Sequence, residues 1–183
     1  MTYIYFVNAF FLAVCLSLAL PMGTAKASDV IETSGTVLSI ALPAAAGGLT
    51  YDKDDARGRI QLAEVLASTL GVTYGLKYTV DETRPNGGAH SFPSGHTSVS
   101  FAAADFIERR YGWDYGIPAY VAAGFVGYSR VEAKAHYTRD VLAGAAIGIL
   151  ANAVFTTPFS GRSMKVSATA AGDGYGVQII GSW

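Results

Sequence analysis

The sequence predicts an all-α protein, a compact bundle of about five core helices that follows an apolar N-terminal segment. Half of its 183 residues are hydrophobic and only 15% are charged, so one domain can bury a sizeable core. Between residues 29 and 156, apolar residues recur at helical spacing in five stretches, which proline, glycine or charged residues separate. The alternation typical of strands occurs only after Gly161.

The N-terminal segment predicts export. Residues 3–20 are largely apolar, Pro21 and Gly23 break the run, and Ala25-Lys26-Ala27 has the small-x-small pattern of a cleavage site. We therefore predict a signal peptide over residues 1–27, a mature domain over residues 28–183, and a periplasmic or membrane-associated location outside the cytoplasm. No lysine or arginine precedes the apolar run, and an uncleaved membrane anchor is the alternative.

Charge and cysteine content exclude several classes of function. The formal net charge of −1 argues against a nucleic-acid partner. The single cysteine, Cys15, lies in the N-terminal apolar run, which excludes a disulfide framework and a cysteine metal site.

Two helices are predicted before Lys77, with a charged connection between them. The first covers residues 29–49, where Pro43 is expected to kink or end it. A charged connection over residues 51–59 is expected to be solvated. The second helix covers residues 59–76 and places Lys77 at its C-terminal end.

Residues 81–92 contain proline and glycine and predict a loop, in which His90 is expected to be an ordinary exposed histidine. Three further helices are expected over residues 94–110, 117–131 and 139–156. After them, the alternating residues and a glycine-rich turn predict a short C-terminal β-hairpin.

Three sequence clusters look like parts of one phosphate site. They are Lys77 with Arg84-Pro85, then Pro93-Ser94-Gly95-His96, and finally Ser129-Arg130 with His136 and Asp140. Transferring a phosphoryl group spreads negative charge over oxygens, so fixed cations and N–H donors are the main means of catalysis. The two arginines can each offer a planar fork and the lysine a compact charge.

The second cluster predicts an anion site at a helix N-terminus. Ser94 supplies a hydroxyl, and Gly95 lets bare backbone amides approach the ligand closely. His96 follows in the first turn, near any bound phosphate.

The third cluster predicts a nucleophile. His136 and Asp140 are four residues apart and share a face of a helix, so the carboxylate can orient the imidazole for attack on phosphorus. His96 can then protonate the leaving oxygen and later activate water. We predict a two-step displacement through a phosphohistidine on His136, without a metal, because the cations do its electrostatic work.

These clusters resemble the three-part signature of the type 2 phosphatidic acid phosphatase and vanadium haloperoxidase superfamily. All signature positions match, and the region from Lys77 to Asp140 covers about a third of the chain. The resemblance implies a helical fold, His136 as nucleophile, His96 as acid and base, and Asp140 as the orienting group. It also implies a phosphate-binding set composed of Lys77, Arg84, Ser94, Gly95 and Arg130.

Three functions stay open at this point. A phosphatase acting on a phosphate ester, with a lipid phosphate as substrate, is preferred over a non-specific acid phosphatase acting on soluble esters. A haloperoxidase would hold vanadate in the same residues, and a non-catalytic anion-binding module is disfavoured because both histidines and Asp140 are present. Phosphatidic acid, undecaprenyl pyrophosphate, a lipid A phosphate and a nucleotide are all candidate substrates.

The same family includes integral and soluble enzymes. The helix that starts at Ser94 carries Asp105 and ends in Glu108-Arg109-Arg110 after about four turns, which is too short and too charged to cross about 30 Å of hydrocarbon. We therefore expect a compact domain in contact with a membrane surface rather than a protein with six spans.

Overall fold

A computed structural model describes residues 27–159 and the backbone of residues 164–171 and 174–181. The predicted signal peptide lies outside these residues except for Ala27, so its cleavage stays a prediction. The described part contains five helices followed by two strands. They are α1 (Ala27–Asp52), α2 (Ala56–Val80), α3 (Gly95–Tyr111), α4 (Trp113–Glu132), α5 (Thr138–Phe155), β1 (Met164–Ala171) and β2 (Gly174–Gly181). The predicted all-α class is confirmed.

Helix α3 is the centre of the bundle and packs against each of the other four helices. Its alanines at 102, 103 and 104 are fully buried, and Phe106 and Ile107 extend the same core. Small side chains let neighbouring backbones approach, and the larger ones fill the remaining space. Because α3 is central, its N-terminus is held in a fixed position within the bundle, and the second sequence cluster lies there.

Helix α5 touches α3 backbone to backbone at two glycines. A Cβ at Gly144 would lie 2.6 Å from the Ser94 carbonyl oxygen, and one at Gly148 would lie 2.5 Å from the Ser98 carbonyl oxygen. Asn152 continues this contact, since its Nδ2 donates to the Ala102 carbonyl at 2.8 Å. Close packing of α5 on α3 holds the start of α5, and with it Asp140, beside the start of α3.

Several helix bounds differ from the predicted ones. Helix α2 covers Ala56–Val80 rather than residues 59–76. Of the two outcomes expected at Pro43, an end of α1 is wrong: α1 continues to Asp52, because burial of Leu42 and Ala46 on either side outweighs the cost of a helical proline, about 3 kcal/mol. Helix α4 starts at Trp113 rather than near residue 117. Gly112, with φ of 91°, ends α3 and caps α4.

The sequence predicted a solvated connection between α1 and α2, but part of this connection is buried. Asp55 is buried, caps α2 by accepting the Gly58 N–H at 2.8 Å, and receives two hydrogen bonds from Arg110 at 2.5 and 2.6 Å. Arg110 also donates to the Thr157 carbonyl at 2.5 Å. This ion pair joins three chain segments that are remote in sequence.

The predicted hairpin is present. Strands β1 and β2 pair antiparallel, with Met164 opposite Gly181 and Ala171 opposite Gly174. Separately, α1 and α5 are long and apolar enough to cross a membrane, judged by length and composition only. Only 28% of the apolar stretch of α1 and 22% of the apolar stretch of α5 are buried within the protein.

Candidate active site

A cavity of about 450 Å³ opens where the three sequence clusters meet. Five of the eight predicted site residues line it, from α2, the following loop, the start of α3 and the segment before α5. They are Lys77, Arg84, Gly95, His96 and His136. Folding therefore brings two histidines and two cations, up to 59 residues apart in the sequence, to one surface.

The cationic side of the cavity consists of Lys77 and Arg84. Lys77 lies in the last turn of α2, where its Nζ donates to the His90 carbonyl at 2.8 Å. Burial and the neighbouring Arg84 lower the pKa of Lys77 to about 8, while Asp140 opposes this shift. Arg84 uses its Nε to bind the Ala89 carbonyl at 3.0 Å. Its two terminal nitrogens bind no other described residue, so they can take two oxygens of an anion.

The start of α3 forms the next wall. Gly95 and His96 line the cavity in the first helical turn, whose N–H groups have no partner within the helix. Ser94 caps this helix but lies behind the wall, because it is fully buried and its hydroxyl pairs with the Thr97 hydroxyl at 2.9 Å. The structure thus presents backbone amides to the cavity rather than the predicted Ser94 hydroxyl.

His136 and Asp140 form a buried pair at the base of the cavity. The Nδ1 atom of His136 lies 3.6 Å from Oδ2 of Asp140, a long contact of the kind that often tightens when substrate binds. The same Oδ2 accepts the Tyr137 N–H at 2.9 Å in the first turn of α5. With Nδ1 facing the carboxylate, the other ring nitrogen is available for attack.

The cavity keeps His136 neutral. Burial, followed by the charges of Lys77 and Arg84, lowers the pKa of His136 to about 4, although Asp140 opposes the shift. A neutral imidazole is the form that can act as a nucleophile. Burial and then Arg130, Arg84 and Lys77 also lower the pKa of His96. A bound phosphate dianion would offset these positive charges.

Arg130 does not line the cavity. Its guanidinium is buried against α1, where Nη1 donates to the Thr36 hydroxyl at 3.2 Å and Nη2 donates to the Glu32 carbonyl. Its Nε binds the Ser129 hydroxyl at 3.1 Å. The sequence placed Arg130 with the phosphate, whereas the structure places it in a second layer, from which its charge still reaches His96.

Several residues around the site were not predicted from the sequence. His90 was expected to be an ordinary exposed loop residue, but it lines the cavity. Ser91, three residues before Ser94, is fully buried and donates to Asp140. Apolar and aromatic side chains form much of the remaining wall. They are Ile40, Leu70, Tyr74, Tyr78 and Val99. No pattern in one sequence distinguishes such wall residues from ordinary helix positions.

A known protein family matches the region of the chain that contains this site. A family model described as the PAP2 superfamily matches residues 59–163, which is more than half of the chain. The chain belongs to the PAP2 superfamily. The matched region of this PAP2 chain includes all eight predicted site residues, whereas α1 lies before it.

Two curated relatives are lipid A phosphatases. The chain is 39% identical over 100 residues to a lipid A 1-phosphatase of Porphyromonas gingivalis, an alignment covering 51% of this chain and 22% of that protein. It is 33% identical over 130 residues to a lipid A 4'-phosphatase of Helicobacter pylori, covering 64% of this chain and 65% of that protein. The chain thus spans less than two thirds of either relative.

Two crystal structures share the fold. LpxE of Aquifex aeolicus superimposes with a TM-score of 0.60 at 17% identity, covering 80% of this chain and 92% of that one. The first transmembrane PAP2-type phosphatidylglycerolphosphate phosphatase from Bacillus subtilis gives a TM-score of 0.51 at 21% identity, covering 82% and 92%. These likenesses support the helical fold of the superfamily.

Proposed function

We propose that this PAP2 protein is a phosphatase that hydrolyses the phosphate monoester of a lipid through a phosphohistidine intermediate. The observation that supports it most is the shared cavity, in which neutral His136, His96, Lys77 and Arg84 face one another. A phosphate group needs cations for its oxygens, a nucleophile for phosphorus and an acid for the leaving oxygen. The cavity walls supply each of these.

In the first step the free ring nitrogen of His136 attacks phosphorus, and the bond from phosphorus to the substrate oxygen breaks. His96 donates a proton to that oxygen, which leaves as an alcohol. Lys77, Arg84 and the amides at the start of α3 hold the other phosphoryl oxygens. In the second step water attacks phosphorus, His96 takes a proton from that water, and the bond from phosphorus to the His136 nitrogen breaks, so that phosphate leaves and His136 is neutral again.

The cavity also has an apolar lining that suits a lipid substrate. Ile40, Leu70 and Val99 line it together with the cations, so an apolar group attached to the phosphate would be shielded from water. The curated relatives act on lipid A phosphates. We propose a lipid phosphate as substrate class, with lipid A phosphates as the first candidates.

The outer surface supports contact with a membrane. Side chains on α1 and α5 are apolar and largely exposed, namely Ile40 at 69%, Leu142 at 65%, Leu150 at 64% and Val154 at 75%. Large exposed apolar areas mark membrane or partner surfaces. Together with the predicted signal peptide, they support a location of the proposed active site at a membrane outside the cytoplasm.

Phosphate release from a substrate panel tests this proposal. The panel contains a lipid A phosphate, phosphatidic acid, undecaprenyl pyrophosphate and a nucleotide, each with and without detergent and chelator. We expect release from at least one lipid, unaffected by chelator and abolished by His136→Ala. Activity on the nucleotide alone would contradict the lipid assignment, and halide oxidation only with added vanadate would indicate a haloperoxidase.

A further inference from the structure

We propose that Ser91 is a positioning residue that aligns the Asp140–His136 pair for catalysis. This inference rests on the proposed phosphatase activity, since it concerns the pair assigned there to nucleophilic attack. Ser91 lies outside the three signature clusters, in the loop between α2 and α3.

The first observation is the hydroxyl of Ser91. The side chain is fully buried, and its Oγ donates to Oδ2 of Asp140 at 2.5 Å. That oxygen is the one that faces Nδ1 of His136. A short hydrogen bond to a carboxylate fixes its orientation.

The second observation is the other oxygen of the carboxylate. Oδ1 of Asp140 is buried and has no hydrogen-bond partner among the described residues. The Ser91 hydroxyl and the Tyr137 N–H therefore both act on Oδ2. Oδ1 also lies 3.9 Å from Nε of Arg139, which is too far for a hydrogen bond. Without the Ser91 hydroxyl, the Tyr137 N–H would be the one hydrogen bond left on the carboxylate among the described residues, and rotation of the carboxylate would become easier.

The third observation is that Ser91 is itself held in place. Its N–H donates to the Glu82 carbonyl at 2.6 Å, which ties it to the far end of the loop. A fixed residue of the loop thus holds the carboxylate that faces the nucleophile.

Steady-state kinetics of Ser91→Ala test the proposal, with Ser100→Ala as the matched control. Ser100 is also buried, but its hydroxyl has no hydrogen-bond partner in the described part of the chain. We expect Ser91→Ala to lower kcat about 10- to 100-fold with KM changed less than about threefold, because a hydrogen bond to a charged group is lost. Ser100→Ala should keep wild-type kcat.

A double-variant cycle separates positioning from a general structural role. If Ser91 acts through Asp140, Ser91→Ala should cause no further loss in an Asp140→Asn background, whereas an independent loss of the full size would overturn the proposal. Ser91→Cys keeps the shape but offers a weak donor, so it covers the case in which Ser91→Ala does not fold. Wild-type kcat in folded Ser91→Cys or Ser91→Ala would also overturn it. Loss of activity in His136→Ala is required first, and its absence would reject the proposed function instead.

Discussion

Lys77 and His90 each bind the backbone of the other. The Lys77 ammonium donates to the His90 carbonyl at 2.8 Å, and Nδ1 of His90 lies 3.1 Å from the Lys77 carbonyl. His90 also packs edge-on against Tyr78, with ring centroids 5.1 Å apart. These contacts join the end of α2 to the loop and hold the ammonium at the cavity.

Replacing His90 should therefore weaken substrate binding more than turnover. His90 has φ of 56°, a conformation that asparagine tolerates well and alanine poorly. We expect His90→Asn to raise KM about fivefold, the equivalent of one ordinary hydrogen bond, with kcat nearly unchanged. His90→Ala should raise KM further. Wild-type KM in both variants would show that the Lys77 contact does not depend on the histidine.

The pH dependence of activity should reflect the lowered pKa of the nucleophile His136. His136 must be neutral, so activity should fall as the pH drops through about 4 rather than 6.5. His96 must be protonated, and because its pKa is lowered, kcat/KM should decline again at a pH below 6.5. A bound phosphate dianion raises the pKa of His96. The decline of kcat on the basic side should therefore occur at a higher pH than the decline of kcat/KM.

A Lys77→Met variant checks the cause of that acid limb. Lys77 is one of the charges that lower the pKa of His136, so its removal should move the acid limb of kcat/KM to higher pH. Profiles of both proteins from pH 3 to 9, with stability verified at each pH, make the comparison. An acid limb near 6.5 in the wild type would contradict the account.

Helix α1 should contribute to catalysis although it lies before the matched family region. Thr36 accepts a hydrogen bond from Arg130, whose charge lowers the pKa of His96. We expect Thr36→Val to lower kcat/KM about two- to tenfold, because Arg130 loses one of its fixed partners. Thr79→Val is the control, since Thr79 is exposed and binds only its own helix. Equal effects of the two changes would argue against a role for α1.

The Asp55–Arg110 pair should dominate the acid stability of the bundle. Burial alone would raise the pKa of Asp55, but hydrogen bonds from Arg110, the Gly58 N–H and Tyr111 lower it overall. Its stabilisation is therefore present above the unfolded value of 3.8 and lost as the pH falls through the lower folded pKa. Asp55→Ala should cost about 3–5 kcal/mol at neutral pH, since it leaves a buried guanidinium unpaired.

Thermal unfolding of wild type and Asp55→Ala between pH 2.5 and 7 measures this effect. The variant should lose stability less steeply than the wild type in the acid range. Asp54→Asn is the control, because the Asp54 carboxylate is exposed, lies 4.0 Å from Arg59, and asparagine tolerates the φ of 46° at this position. Parallel curves for wild type and Asp55→Ala would show that the pair contributes little.

The sequence predicted the features that depend on local patterns and on fixed spacing between residues. Apolar periodicity located the five helices, and the signature spacing identified five of the residues that line the cavity. The sequence could not show that Arg130 binds Thr36, 94 residues away, or that Asp55 pairs with Arg110, since neither contact leaves a periodic trace. It also could not show that α1 continues past Pro43, because core packing outweighs the local cost of proline.

The measurement that tests the central claim most directly is a rapid denaturing quench during turnover of a phosphate-labelled substrate. We expect acid-labile, base-stable label on a peptide that contains His136, and none in His136→Ala. With a substrate whose leaving oxygen needs no proton, slower breakdown in a His96→Ala variant should increase the trapped amount, because His96 activates the attacking water. Label on Ser94, or active turnover without any trapped label in either protein, would contradict the phosphohistidine mechanism.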